Sequence, residues 1–166
     1  MKKRVLFFIM LLGIFNTIAK GQDSIKTTPK NLFWGSVGFG VYAGGGSGNY
    51  LHNKDLFTVR YYGNIAGQGD LSYEDKSVLY GRIFSNKNRD ILLSASIGLG
   101  IINITEGVFL GPMLKVKQNL LNVPIEAQII FIPFKYMGIG LKAFANINSY
   151  NVSGWGLLTL QFGKLK

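Results

Sequence analysis

One histidine, His52, is the natural starting point for any chemistry in this chain. Ser47, Tyr50 and Asp55 lie within a few residues of it. A nucleophile, a base and an orienting acid are what acyl transfer or lipid hydrolysis requires, so Ser47, His52 and Asp55 are the residues to follow for an enzymatic reading. All three sit in or beside a glycine-rich stretch, Gly44-Gly45-Gly46-Ser47-Gly48-Asn49, which reads as a surface turn. A phosphate-cradling loop would need a Gly-Lys-Ser/Thr ending and a following helix, and neither is present. Asp70, Glu74 and Asp75 crowd one turn, but their spacing does not fit a calcium loop, and a solvated turn is expected. With no cysteine in the chain, disulfides, thiolate metal sites and lipoprotein acylation are excluded. The expectation is therefore no catalytic residue, no metal and no cofactor.

The elements around these residues are easier to read. Lys2, Lys3 and Arg4 precede an apolar run from Val5 to Ile14, and Ala19-Lys20-Gly21 has the small-x-small form of a cleavage site. Residues 1–21 read as a secretory signal peptide removed after Gly21. The formal charge of +10 falls to about +6 once Lys2, Lys3, Arg4 and Lys20 leave with it. The remaining cations are scattered singly, and with export this argues against nucleic acid and for contact with lipid head groups.

After the leader a two-residue rhythm takes over. Ile91, Leu93, Ala95, Ile97, Leu99 and Ile101 alternate with Leu92, Ser94, Ser96, Gly98 and Gly100, an apolar face against a small, polar one. Eight such segments are predicted: 34–44, 56–65, 77–84, 91–101, 108–117, 123–132, 137–148 and 154–163. Turns are expected at 44–49, 85–88, 118–122 and 133–135, and Pro112 would mark a bulge inside the fifth segment. No later stretch reaches the ~20 apolar residues of a spanning helix. An apolar sheet face would be wasted in water. Closing the sheet removes its edges, as lipid demands, and the expected fold is all-β, an eight-stranded antiparallel up-and-down transmembrane β-barrel. The domain plan is a signal peptide at 1–21, a short periplasmic segment at 22–33 and the barrel at 34–166.

This register makes two groups of side chains. Arg60, Arg82, Lys115, Lys117, Glu126 and Lys142 point into the lumen, where Glu126 pairs with one or two cations and side chains plug the bore. Phe33, Trp34, Phe134, Tyr136 and Phe162 form an aromatic girdle at the end that carries both termini, the periplasmic end by convention. Tyr42, Tyr62 and Phe144 would line the upper lumen, leaving room for a reading in which the barrel binds or passes a small hydrophobic molecule or lipid. A soluble ligand-binding barrel would need the reverse arrangement, apolar inside and polar outside.

The last third carries a more specific signal. Val123-Pro124-Ile125-Glu126-Ala127, Ile132-Pro133-Phe134-Lys135-Tyr136, Gly138-Ile139-Gly140-Leu141, Asn146-Ile147-Asn148 and Leu158-Thr159-Leu160-Gln161-Phe162-Gly163-Lys164-Leu165 together resemble the small outer-membrane β-barrel proteins of Bacteroidota. The resemblance covers about residues 120–166 and is architectural before that. It implies an outer-membrane barrel and carries over no catalytic residue. The expected role is structural or accessory, and a lipid-modifying enzyme is the third reading. The expected partners are outer-membrane lipids, the barrel-insertion machinery and an envelope protein complex. Either Phe162 or Leu165 would be the terminal anchor for insertion.

Overall fold

The computed structural model describes residues 31–41, 43–64, 71–86, 88–108, 114–149 and 152–166, with the side chains of 71–72, 106–108 and 114–117 excepted. Residues 1–21, read above as a signal peptide, and Tyr42, Asp70 and Pro112 lie outside the described residues. Eight strands run β1 Asn31–Phe39, β2 Ala43–His52, β3 Asp55–Asn64, β4 Leu71–Ser85, β5 Ile91–Val108, β6 Leu114–Phe134, β7 Met137–Asn148 and β8 Val152–Lys164. Each is antiparallel to its sequence neighbour, and β8 returns to β1, closing the barrel. β1 begins at Asn31, slightly before the expected boundary.

The ladder is staggered. The rung that starts at Phe33 passes through Tyr50, Phe57, Tyr80, Ile97, Ile125 and Ala145 to Gly154, yet Phe33 is itself paired with Lys164, ten residues further along β8. Such a shear tilts the strands by about 35–45° and leaves an interior that side chains fill.

The eight strands are not the eight predicted. β2 occupies the glycine-rich stretch read as a turn, and β6 is one long strand through 118–122, where a turn was expected. One strand was missed and one was divided, so the count survived two opposite errors. β2 is a strand because it is laddered on both sides, Val37↔Gly46 on β1 and Gly46↔Tyr61 on β3, and that pairing overrides the poor strand propensity of glycine. The end of the chain that holds both termini has two-residue turns at 53–54 and 135–136. It is called the terminal end below, and the opposite end the loop end.

Alternation sorts the side chains. Phe33, Val59, Leu99, Leu141 and Leu158 are exposed on the outer wall, and Ser36, Asn49, Thr58, Gln128 and Thr159 are buried within. β4 runs opposite to expectation: Leu79 and Ile83 are buried, while Tyr80 and Arg82 face outward. The lumen is not uniformly polar either. At the terminal end Leu32, Trp34, Leu51, Leu56, Ile83, Leu92, Ile130, Ile132 and Leu165 form a buried apolar cluster. The gap beside Leu32, Leu51, Leu92 and Leu165 is about 20 Å³, room for about one water.

Candidate functional site

Above the apolar cluster, toward the loop end, lies a buried ionic group. Inward parity on β3 delivers Thr58, Arg60 and Tyr62 to the lumen. Arg60, with 2% of its surface exposed, donates from Nη2 to Asp75 Oδ2 at 2.6 Å and to Asn146 Oδ1 at 2.6 Å, and from Nη1 to Glu126 Oε2 at 3.1 Å. The other oxygen of Glu126 takes Lys142 Nζ at 2.8 Å, and that ammonium also donates to the Tyr62 hydroxyl at 2.9 Å. Asp75 Oδ1 accepts from the Ser77 hydroxyl, and Asp75 Oδ2 accepts from Asn146 Nδ2 at 3.0 Å. Asn146 Nδ2 also reaches the Tyr73 hydroxyl, and Asn122 donates to Asn146 Oδ1 at 3.0 Å.

Two cations face two carboxylates, and the four come from β3, β4, β6 and β7. The rings of Tyr62 and Phe144 stack at 5.2 Å and 21°, and the Arg60 guanidinium lies 4.8 Å from the Phe144 centroid and 5.4 Å from that of Tyr62. These two rings lie buried against each other in the upper lumen. Taking four charges out of water is costly, and mutual pairing, with further hydrogen bonds to Ser77, Asn146 and Tyr62, is what makes it tolerable; Arg60 Nε alone of the guanidinium nitrogens lacks a partner. The group can hold strands across the bore together, and it can bar ions. It presents no activated nucleophile.

Arg60, Glu126 and Lys142 therefore meet in the lumen. Arg82 does not join them: its side chain is 66% exposed outside, with Nε 3.5 Å from Asp55 Oδ1. A long arginine at the terminal-end rim can carry its head group to water, so the outer face accepts it there. Lys115 and Lys117 lie on β6 where side chains fall outside the described residues. Asp75 was read as part of a solvated turn and is instead fully buried on β4. Its signal was available. Tyr73, Asp75, Ser77 and Leu79 alternate with Glu74, Lys76 and Val78, but Leu79 and Ile83 resembled a lipid-facing row and inverted the reading.

The Ser47, His52 and Asp55 set does not assemble. Ser47 faces inward and shares a 2.6 Å hydrogen bond with Ser36. His52 faces outward at the end of β2, its Nδ1 2.9 Å from Asn31 Oδ1. Asp55 accepts from the Tyr80 hydroxyl at 2.8 Å. Glu74 pairs with Lys76 at 3.7 Å, and among the described residues no three potential metal ligands gather.

Phe33, Phe134, Tyr136 and Phe162 are all exposed on the outside at the terminal end. Trp34 is not among them. It is 1% exposed, inside the apolar cluster, because its odd-numbered neighbours Phe33 and Gly35 take the outer face. Sequence reasoning missed Tyr50, Phe57 and Tyr80, which continue from Phe33 along one rung with ring centroids 6.3 and 5.3 Å apart from Tyr50 to Phe57 to Tyr80. At Gly163 (φ +141°) an added Cβ would come within 2.6 Å of the Phe33 carbonyl oxygen. Past it the chain turns inward: Leu165 N donates to Lys135 O at 3.2 Å, and the Leu165 side chain is buried in the lumen. Phe162 is thus the last aromatic on the outer wall.

A closed eight-stranded barrel, apolar without and polar within, is a transmembrane barrel of the outer-membrane type. Its apolar wall requires lipid. Among solved structures it is similar to the N-terminal β-barrel domain of Pseudomonas aeruginosa OprF, at 15% identity, with 81% of this chain and 97% of that chain covered and a TM-score of 0.67. It is also similar to Ail, the attachment invasion locus protein of Yersinia pestis (15% identity, 81% and 94% covered, TM-score 0.56), and to Neisserial surface protein A (10% identity, 82% and 94% covered, TM-score 0.54). No family model and no curated protein sequence matches the chain. At these identities the likeness is one of fold.

Proposed function

We propose that this protein is a non-conducting, non-catalytic outer-membrane barrel that serves as a structural or interaction scaffold in the envelope. The observation that carries this reading is the charge-balanced Arg60–Asp75–Glu126–Lys142 group standing above a lumen packed with apolar side chains. One layer opposes ions, and the other leaves no continuous water path. An enzyme or a transporter of apolar molecules would need an assembled reactive set or an open cavity in the lumen. The separation of Ser47 from His52 and the stacking of Tyr62 on Phe144 weigh against both.

The termini belong on the periplasmic side, where turns are short, after removal of residues 1–21 by signal peptidase. Phe33, Tyr50, Phe57, Tyr80, Phe134, Tyr136 and Phe162 then form the inner-interface girdle, and Phe162 is the anchor presented to the insertion machinery. The resemblance of residues 120–166 to Bacteroidota barrels fits the same placement. The test is electrical. Purified full-length mature barrel in planar bilayers should give no stable conductance steps at moderate voltage. Reproducible unitary steps from wild-type protein would overturn the plugged lumen and leave a channel in its place.

A further inference from the structure

The strands do not end level at the loop end. β3 follows β4 only as far as Gly63↔Glu74, and β7 follows β6 only as far as Asn148↔Asn122. β4, β5 and β6 continue past them, through Leu71↔Glu106 to Val108↔Leu114. From Leu114 to Leu121, eight residues, β6 is laddered to β5 on one side and to no strand among the described residues on the other. The chain enters β1 at the opposite end of the barrel.

Alternate residues of such a strand turn their backbone N–H and C=O groups outward, a row about 27 Å long at ~3.4 Å per residue. Its sequence is Leu114-Lys115-Val116-Lys117-Gln118-Asn119-Leu120-Leu121, with two cations and no acid. Gln118, Asn119 and Leu121 are exposed. Edge lysines are a common guard against pairing with an identical edge. Antiparallel pairing of two copies here would bring four lysines into one short ladder. The same lysines attract a strand of opposite charge.

We propose that the projecting edge of β6 takes up, by strand addition, an extended acidic segment of another polypeptide. This rests on the interaction role proposed above and names the chemistry of the partner. Main-chain bonds would give affinity, and Lys115 and Lys117 would select for acidic side chains.

The probe is a dye-labelled octapeptide alternating glutamate and valine, titrated against the mature barrel in lipid nanodiscs. Anisotropy should saturate, and amide exchange should slow within residues 114–121. N-methylation of every second peptide amide should abolish binding in one parity and spare it in the other. Lys115→Glu with Lys117→Glu, checked for folding by its gel shift on boiling, should weaken binding about tenfold and favour a lysine–valine peptide instead. Absence of binding, binding indifferent to N-methylation in both parities or to charge reversal, or concentration-dependent protection without peptide (a second copy on the edge) would each overturn the proposal. A conducting wild-type barrel would sink the plugged lumen and leave this ladder measurement unaffected.

Discussion

Arg60 is the residue on which the lumen turns. It reaches carboxylates on two different strands and an amide on a third, and it is stacked against two rings. Removing it leaves Asp75 buried with no cation, while Glu126 keeps Lys142. Arg60→Ala is expected to destabilise the folded barrel by about 3–5 kcal/mol, read as a lower urea midpoint for unfolding from liposomes. Combining it with Asp75→Asn should recover part of that loss, since the Glu126–Lys142 pair that remains is balanced. A double change no more stable than the single one would mean that the network is not what holds these strands. At Gly163 the constraint is geometric. Gly163→Val forces a side chain into the Phe33 carbonyl and should cost roughly 1–3 kcal/mol, with Leu165 released from the lumen. Protease trimming of the C-terminal residues of the variant, but not of wild type, would report that release.

At the scale of elements, glycine does two different jobs. On inward faces it lets neighbouring strands approach. A Cβ at Gly98 would stand 2.0 Å from the Val78 carbonyl oxygen, so Gly98→Leu should prevent closure of β4 on β5 and abolish the heat-modifiable gel form. On the outer face of β2, a Cβ at Gly48 meets nothing within 4 Å. Gly48→Val should therefore fold normally and leave stability unchanged to within about 0.5 kcal/mol. If both variants behave alike, Gly98 on β5 and Gly48 on β2 do not occupy the inner and outer faces described.

For the whole molecule, closure turns alternation into compartments: lipid outside, an ionic group and an apolar cluster within. The barrel should resist carbonate extraction and migrate faster unboiled than boiled on SDS gels. Extraction by carbonate with no heat shift would show that the apolar wall is covered by something other than lipid. β4, β5 and β6 rise beyond the other strands at the end away from the termini. Among the described residues the molecule is thus asymmetric, with exposed aromatics at one end and a strand edge without a paired neighbour at the other.

The sequence by itself determined the class of fold and most of the faces. Ile91 to Ile101, Met137 to Asn148 and Leu157 to Phe162 alternate so regularly that period two admits one reading, and the burial follows it. It also placed Arg60, Glu126 and Lys142 inside, since charge on the lipid face near mid-membrane is costly. Only tertiary structure decided the strand boundaries. Gly44 to Asn49 looks like a turn until partners on both sides claim its backbone, and Gln118 to Asn122 looks like a turn until β5 continues beside it. Local propensity cannot report a partner that lies far along the chain. The same reason inverted the faces of β4, and with them Asp75 and Arg82, whereas Trp34 shares its parity with inward-facing Ser36 and was legible from period two. One step of register exchanges lumen for lipid, and the step is fixed by cross-strand pairing around the closed barrel rather than by the residues of any one strand.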